Sequence, residues 1–210
     1  IFFSCIIRRM INTFVCIICI IMIIFFIIKI FELDESTQKI EVRKDSFITV
    51  QKRDKENPNI AKGVAGRLYL VKKKGDEIVN YCHKRQIPNP KIANRLHKRW
   101  SKISKKENGI RETSVNEKSA AYVLNKGDQM RMCVRKKGNP SKLEDCNTMI
   151  FVLLHELAHL MSEKYGHGEE FQTNFSFITK KAVEQGIYKY QNFKQNSSSY
   201  CGTEITNDAY

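Results

Sequence analysis

Three of the chain's five histidines fall within VLLHELAHLMSEKYGHGEEF, residues 152–171. His155 and His159 are four residues apart, so on a helix their imidazoles project from one face and can bind a single metal ion. Glu156 follows His155 directly. This H-E-x-x-H pattern is typical of sites in which two histidines bind Zn²⁺ and the glutamate acts as general base on the attacking water. The motif therefore predicts zinc-dependent hydrolysis, with Glu156 as the catalytic residue.

A catalytic zinc usually has three protein ligands and one open position. His167 is the favoured third ligand, because it follows a Tyr-Gly break and is predicted to begin a second helix. Phe171 and Phe175 follow it at steps of four, so all three side chains share one helical face. The alternatives are four glutamates, at positions 163, 169, 170 and 184. An imidazole suits borderline-soft zinc better than these carboxylates do.

The elements around the motif can be predicted from hydrophobic spacing. An apolar helix, TMIFVLLHELAHLMSEKY, is expected to begin at an N-cap of Asp145 or Asn147 and to end at Gly166. A second helix is predicted over residues 91–103, where apolar side chains recur at steps of three and four. A hairpin is predicted from Tyr122 to Val134 around a Lys-Gly-Asp turn. Further upstream, alternation at Leu68 and Leu70 predicts a strand, followed by a turn at residues 74–76.

The N-terminal part has a different composition. Residues 10–28 are uncharged and almost entirely apolar, which is enough at about 1.5 Å per residue to cross a hydrocarbon core of roughly 30 Å. The sequence thus predicts a single transmembrane helix within residues 1–31, then a linker over 32–58 with at most one short strand. The apolar run is too long for a cleaved signal peptide. Met10 is a possible true start, and the positive charges that follow the segment place the remaining domain on the cytoplasmic side.

The net charge indicates possible binding partners, and the cysteines indicate whether a thiolate metal site or disulfides are expected. The net charge of +14 favours nucleic acid, anionic lipid or acidic protein partners, although a solvated lysine-rich surface explains it equally well. Outside the apolar segment, the cysteines are Cys82, Cys133, Cys146 and Cys201. None has a C-x-x-C spacing, so a thiolate zinc site is not indicated. Reduced thiols are expected in a cytoplasmic domain, and two disulfides in an extracellular one.

The stretch HELAHLMSEKYGHGEEF resembles the small zinc metallopeptidases of the SprT-like and WLM kinds, in which a third histidine follows H-E-x-x-H. It is most similar to a WLM-like group found in large DNA viruses. YVLNKGDQMRMCVR, AVEQGIY and YCGTEIT extend the resemblance over roughly residues 60–205.

The resemblance implies a compact α+β zincin-like domain over residues 59–190, with the tail 191–210 packed on it. It also implies His155, His159 and His167 as zinc ligands and Glu156 as the base. A sheet edge, for which the hairpin 121–134 is the candidate, would align an extended protein substrate above the metal helix. Known relatives cleave proteins that are crosslinked to DNA or modified by ubiquitin-like proteins.

These observations together predict peptide-bond hydrolysis. An oxyanion donor is also required, and the candidates are Tyr165, Tyr188, Tyr190 and Tyr200. The alternative is a membrane-tethered basic module that binds nucleic acid or protein and carries a structural zinc. An intramembrane protease is disfavoured, because the apolar part of the metal helix is too short to span a bilayer.

Overall fold

The computed structural model describes residues 14–26, 37–43, 46–53, 57–114, 117–207 and 209. The chain divides into two units, Ile1–Gln38 and Lys39–Tyr210. In the first unit, residues 14–26 form helix α1, whose large apolar side chains are exposed.

The predicted transmembrane helix is wrong. The described part of α1 contains thirteen residues and is about 20 Å long, whereas a hydrocarbon core is roughly 30 Å thick. No helix within the described ranges combines the length and the apolar content that a membrane crossing requires. The predicted single-pass membrane localisation rested on this helix and is wrong for the same reason. The rest of the predicted segment, residues 1–13 and 27–31, lies outside the described residues.

The remaining elements form an α+β arrangement. In chain order they are β1 (Thr37–Arg43), β2 (Ser46–Gln51), α2 (Pro58–Arg85), α3 (Pro90–Ser104), β3 (Ile110–Glu112), β4 (Ala121–Leu124), β5 (Gln129–Met132), β6 (Arg135–Lys136), β7 (Asn139–Leu143), α4 (Cys146–Met161), α5 (Glu169–Glu184), β8 (Ser198–Tyr200) and β9 (Thr203–Ile205). Helix α4 packs against α2, α3 and α5, and most of its side chains are buried.

The predicted hairpin is present as β4 and β5, which pair in antiparallel register with Val123 opposite Met130. Strand β3 lies on the other side of β5 and runs parallel to it, so β4 is an edge strand of this sheet. The other strands pair two by two: β1 with β2, β6 with β7, and β8 with β9. The helix predicted over 91–103 is confirmed as α3.

The predicted strand at Leu68–Leu70 and the turn at residues 74–76 are wrong, because both lie inside α2. The buried side chains of α2 recur at steps of three and four along 61–82, which is the helical period. Gly75 marks a close approach between helices. The ring of Trp100 from α3 packs directly over its backbone, and Trp100 Nε1 donates a hydrogen bond to Asp76 Oδ1 at 2.7 Å.

Gly75→Ala should lower the free energy of unfolding by about 1–3 kcal/mol, because the added Cβ would overlap the buried Trp100 ring. Gly66→Ala is the matched control in the same helix. Nothing lies near its added Cβ, so the higher helix propensity of alanine should raise stability by about 1 kcal/mol. Urea unfolding of both variants measures the difference. Equal stabilisation by the two substitutions would contradict the packing of Trp100 on Gly75.

The segments on either side of the predicted domain also belong to its structure. The predicted linker 32–58 contains two strands where at most one was expected, and Val50 of β2 is fully buried in the core. The tail 191–210 packs on the domain through Phe193, Tyr200 and Cys201, each no more than 2% exposed.

Cys133 and Cys201 form a disulfide, so the expectation that all four domain cysteines are reduced is wrong for this pair. Cys82 and Cys146 are free thiols.

Candidate metal centre

Helix α4 contains the H-E-x-x-H motif, and its first turn is fixed by an N-cap. It begins after Asp145, whose Oδ2 accepts a hydrogen bond from the backbone N–H of Thr148 at 2.8 Å. Such N-cap bonds satisfy amides that have no partner inside the helix. The i, i+4 spacing then places His155 and His159 on one face, while Glu156 is 5% exposed.

The metal helix is shorter than predicted. It ends at Met161, because Ser162 is extended, and Gly166 (φ 83°) turns the following loop instead of ending the helix. His167 lies in this loop, two residues before α5, and Gly168 is the N-cap of that helix. His167 was predicted to begin the helix, but it lies in the preceding loop, two residues before the first residue of α5.

The structure brings the three predicted ligands together. His155 Nε2 lies 3.2 Å from His159 Nε2 and 3.1 Å from His167 Nε2. Two imidazole nitrogens bound to one tetrahedral zinc at about 2.0–2.1 Å would be separated by about 3.3 Å. Within the described residues, these three histidines are the one group of three or more side chains that could hold a metal ion. The three histidines could therefore hold a metal ion, and cavities next to them leave room for a further ligand.

The electrostatics of the site favour neutral ligands. Burial, together with the two neighbouring histidines, lowers the pKa of His155 to about 3. Burial, with His167 and Lys126 nearby, lowers the pKa of His159 to about 4. Neutral imidazoles offer the lone pair that a metal requires. Burial raises the pKa of Glu156 to about 8. A cation held by the histidines would favour the ionised carboxylate and so would oppose this rise.

The four alternative glutamate ligands lie outside the cluster. Glu163 forms ion pairs with Lys91 and Arg95. Glu170 accepts hydrogen bonds from the backbone N–H groups of residues 163 and 164, at 2.8 and 3.1 Å. Glu184 pairs with Lys181, and Glu169 is exposed in the first turn of α5.

Two cavities meet at the cluster. The larger, of about 470 Å³, lies toward the start of β4 and the C-terminal hairpin β8–β9. The smaller, of about 260 Å³, lies toward the end of β4 and the loop that carries His167. His155, Glu156, His167 and Ala121 line both cavities. Together they form a cleft that runs past the three imidazoles along β4.

The tyrosine candidates separate by their positions. Tyr165 lines the smaller cavity with the three histidines and is 82% exposed. Tyr200 lines the larger cavity, but it is buried and its hydroxyl donates to the carbonyl of Cys133 at 2.6 Å. Tyr188 is buried against Phe151, and Tyr190 lines neither cavity. Tyr165 is thus the candidate with a free approach to the cluster.

Three cations that the sequence reasoning missed hold the end of α4. The side chains of Arg95, Arg99 and Lys126, here called the cation clamp, donate hydrogen bonds to backbone carbonyls within residues 160–164. Arg99 Nη1 lies 2.9 and 2.7 Å from two of these oxygens. Cations at a helix C-terminus interact favourably with its exposed carbonyls. The clamp therefore fixes the loop that leads to His167.

Arg99→Met should weaken metal binding by about tenfold, because it removes two hydrogen bonds that position this loop. The zinc dissociation constant, measured by competition with a chelator, tests this effect. Lys98→Met is the matched control, since Lys98 is exposed on the same helix. If both variants bind zinc equally well, the clamp does not position His167.

Comparisons with known proteins show relatives in viruses. The chain is 30% identical over 97 residues to uncharacterized protein R325 of Acanthamoeba polyphaga mimivirus, covering 46% of the chain and 49% of the relative. It is 33% identical over 82 residues to uncharacterized protein 136R of Invertebrate iridescent virus 6, covering 39% of the chain and 46% of that protein. The chain thus spans about half the length of the curated relatives it matches. No family model matches the sequence, and no solved structure matches it.

Proposed function

We propose that this protein is a zinc-dependent metallopeptidase. The observation that carries the proposal is the convergence of the three imidazole nitrogens in an open cleft, with the carboxyl group of Glu156 beside them. Three imidazoles are a donor set that zinc accepts in catalytic sites. The resemblance of residues 155–171 to SprT-like and WLM peptidases agrees with this assignment.

His155, His159 and His167 would hold the zinc. When bound, Zn²⁺ supplies Lewis-acid polarisation of the scissile carbonyl and lowers the pKa of water. Glu156 accepts the proton of the attacking water and later delivers it to the leaving amine. Tyr165, exposed on the smaller cavity, is the side chain placed to donate a hydrogen bond to the developing oxyanion.

The geometry of strand β4 supports the proposal that the substrate is a peptide. The backbone N–H of Cys133 donates to the carbonyl of Ala120 at 2.8 Å, so this pair is hydrogen-bonded across the hairpin. In an antiparallel pair of strands, hydrogen-bonded and non-hydrogen-bonded residue pairs alternate. Ala121 and Val123 therefore direct their N–H and C=O groups away from β5, to the outer edge of β4. No described strand pairs with that edge. An extended peptide can add to it as a further strand, beside the three histidines.

Metal content tests the proposal directly. The purified full chain should contain about one zinc per molecule by mass spectrometry, and His167→Ala should lose most of it because only two ligands remain. His97→Ala is the matched control, because this histidine stacks on His83 away from the cluster. A folded wild-type chain that takes up no zinc, or equal zinc in both variants, would overturn the proposal.

A second candidate function, nucleic-acid binding, is favoured by a pair of arginines. Arg111 and Arg131 are register partners on β3 and β5, and Arg111 Nε is buried with no hydrogen-bond partner. Like charges directly opposite each other on neighbouring strands are unfavourable, and a bound phosphate between these two would relieve the repulsion. Arg131→Gln should then reduce the salt dependence of oligonucleotide binding by about one ion, and Lys142→Gln on β7 should not. Salt-independent binding in the wild type would argue against this candidate.

A further inference from the structure

The larger cavity beside Glu156 has an apolar floor. Phe151, Phe171 and Phe175 line it, and each is no more than 5% exposed. The ring centroids of Phe151 and Phe171 lie 5.3 and 5.6 Å from that of Phe175, so the floor is a packed aromatic cluster. A volume of about 470 Å³ falls within the range of roughly 300–1,000 Å³ that is usual for ligand pockets. The cavity therefore has room for a large side chain over an apolar floor, while the charged side chains of its lining, such as Lys118 and Glu204, lie outside this floor.

The C-terminal hairpin forms one wall of this cavity. Tyr200 lies opposite Thr203 and Ser198 opposite Ile205 in β8–β9, so Tyr200, Thr203 and Ile205 share one face, and all three line the cavity. The hairpin is anchored beside the metal cluster by the disulfide of Cys201 and by the hydrogen bond of Tyr200 to the carbonyl of Cys133. Ile205 is half-buried at the cavity edge and packs against the core, so a substitution there changes the lining of the cavity.

The direction of β4 assigns the cavity to one side of the scissile bond. Ala120 and Ala121, at the start of β4, line the larger cavity, whereas Val123 and Lys126, at its end, line the smaller one. A peptide that pairs antiparallel with β4 enters over the smaller cavity and leaves over the larger one. In this antiparallel orientation, the residue that follows the scissile bond reaches the larger cavity.

We infer that the larger cavity selects a bulky apolar side chain, such as that of Phe or Leu, at the substrate residue that follows the cleaved bond, and that Ile205 is a specificity-determining residue. The inference rests on the proposed peptidase function. The aromatic floor excludes water from an apolar side chain, and its three phenylalanine rings offer a charged side chain no hydrogen-bond partner. Ile205 supplies the part of the apolar surface that comes from the hairpin.

Two variants of the full chain test the inference. Ile205→Lys places an ammonium group at the cavity, and Ser199→Lys adds the same charge at an exposed hairpin position that does not line the cavity. Both are made in a Glu156→Gln background, so that peptides are bound and not cleaved. Calorimetry with the product-like tripeptides Phe-Ala-Ala and Glu-Ala-Ala then reports the preference, and zinc content is measured in every sample.

We expect the parent to prefer Phe-Ala-Ala over Glu-Ala-Ala at least tenfold. Ile205→Lys should remove this preference, and Ser199→Lys should keep it. Cleavage sites in denatured casein, mapped for the active wild type, should show Phe or Leu after the cut bond. Zinc-loaded protein that cleaves casein with no such preference, or an Ile205→Lys variant that keeps the preference, overturns the subsite while the peptidase function stands. Protein without zinc overturns both.

Discussion

Glu156→Gln should keep about one zinc per chain and lower peptide hydrolysis by a factor of about 10²–10⁴, the usual contribution of a general acid–base residue. The substitution preserves the shape of a buried side chain that lines both cavities, but the amide accepts no proton. None of the three imidazoles is altered, so metal content should be unchanged. Turnover of a casein substrate, normalised to zinc, measures the loss.

Glu169→Gln is the control for this result, because Glu169 is an exposed carboxylate two residues after His167. It should keep full activity. A Glu156→Gln variant that hydrolyses casein at the wild-type rate would show that the proton acceptor is another group. A variant that loses both zinc and activity would instead give Glu156 a role in holding the metal.

Removal of the disulfide in a Cys133→Ala/Cys201→Ala double variant should lower the free energy of unfolding by about 4 kcal/mol. The bridge closes a loop of 68 residues, and restricting so long a loop in the unfolded chain has a large entropic effect. Urea unfolding of the variant and of the oxidised wild type measures the difference. A reductant should destabilise the wild type by a similar amount and leave the variant unchanged.

Cys146→Ala is the matched control, since Cys146 is a half-buried free thiol at the start of α4. It should unfold close to the wild type in both conditions. If the double variant is as stable as this control, the pairing of Cys133 with Cys201 does not constrain the chain.

The convergence of the three histidines could be predicted because its geometry is local. His155 and His159 need only the helical period to meet, and His167 follows after one short loop. The exact end of α4 could not be predicted in the same way. It depends on Arg99 of α3 and on Lys126 in the turn between β4 and β5, which are brought to the helix by tertiary packing.

The errors elsewhere have similar causes. Gly75 and its sequence neighbours suggest a turn. A glycine is needed at this position because the ring of Trp100, 25 residues away in the sequence, leaves no room for a Cβ. The disulfide joins cysteines 68 residues apart, and cysteine spacing alone does not give such a pairing. The apolar N-terminal run indicated a membrane span by composition, whereas the described helix in it covers only residues 14–26.

The histidine cluster and one wall of the larger cavity come from separate parts of the sequence, which affects how the protein can change during evolution. The proposed metal ligands and the proposed base all lie within residues 155–167, on α4 and its loop, whereas one wall of the larger cavity belongs to a hairpin more than thirty residues later. If the proposed function holds, catalysis and substrate preference are encoded in separate parts of the gene. Substitutions in β8–β9 would then alter which peptides are accepted and leave the histidine cluster unchanged.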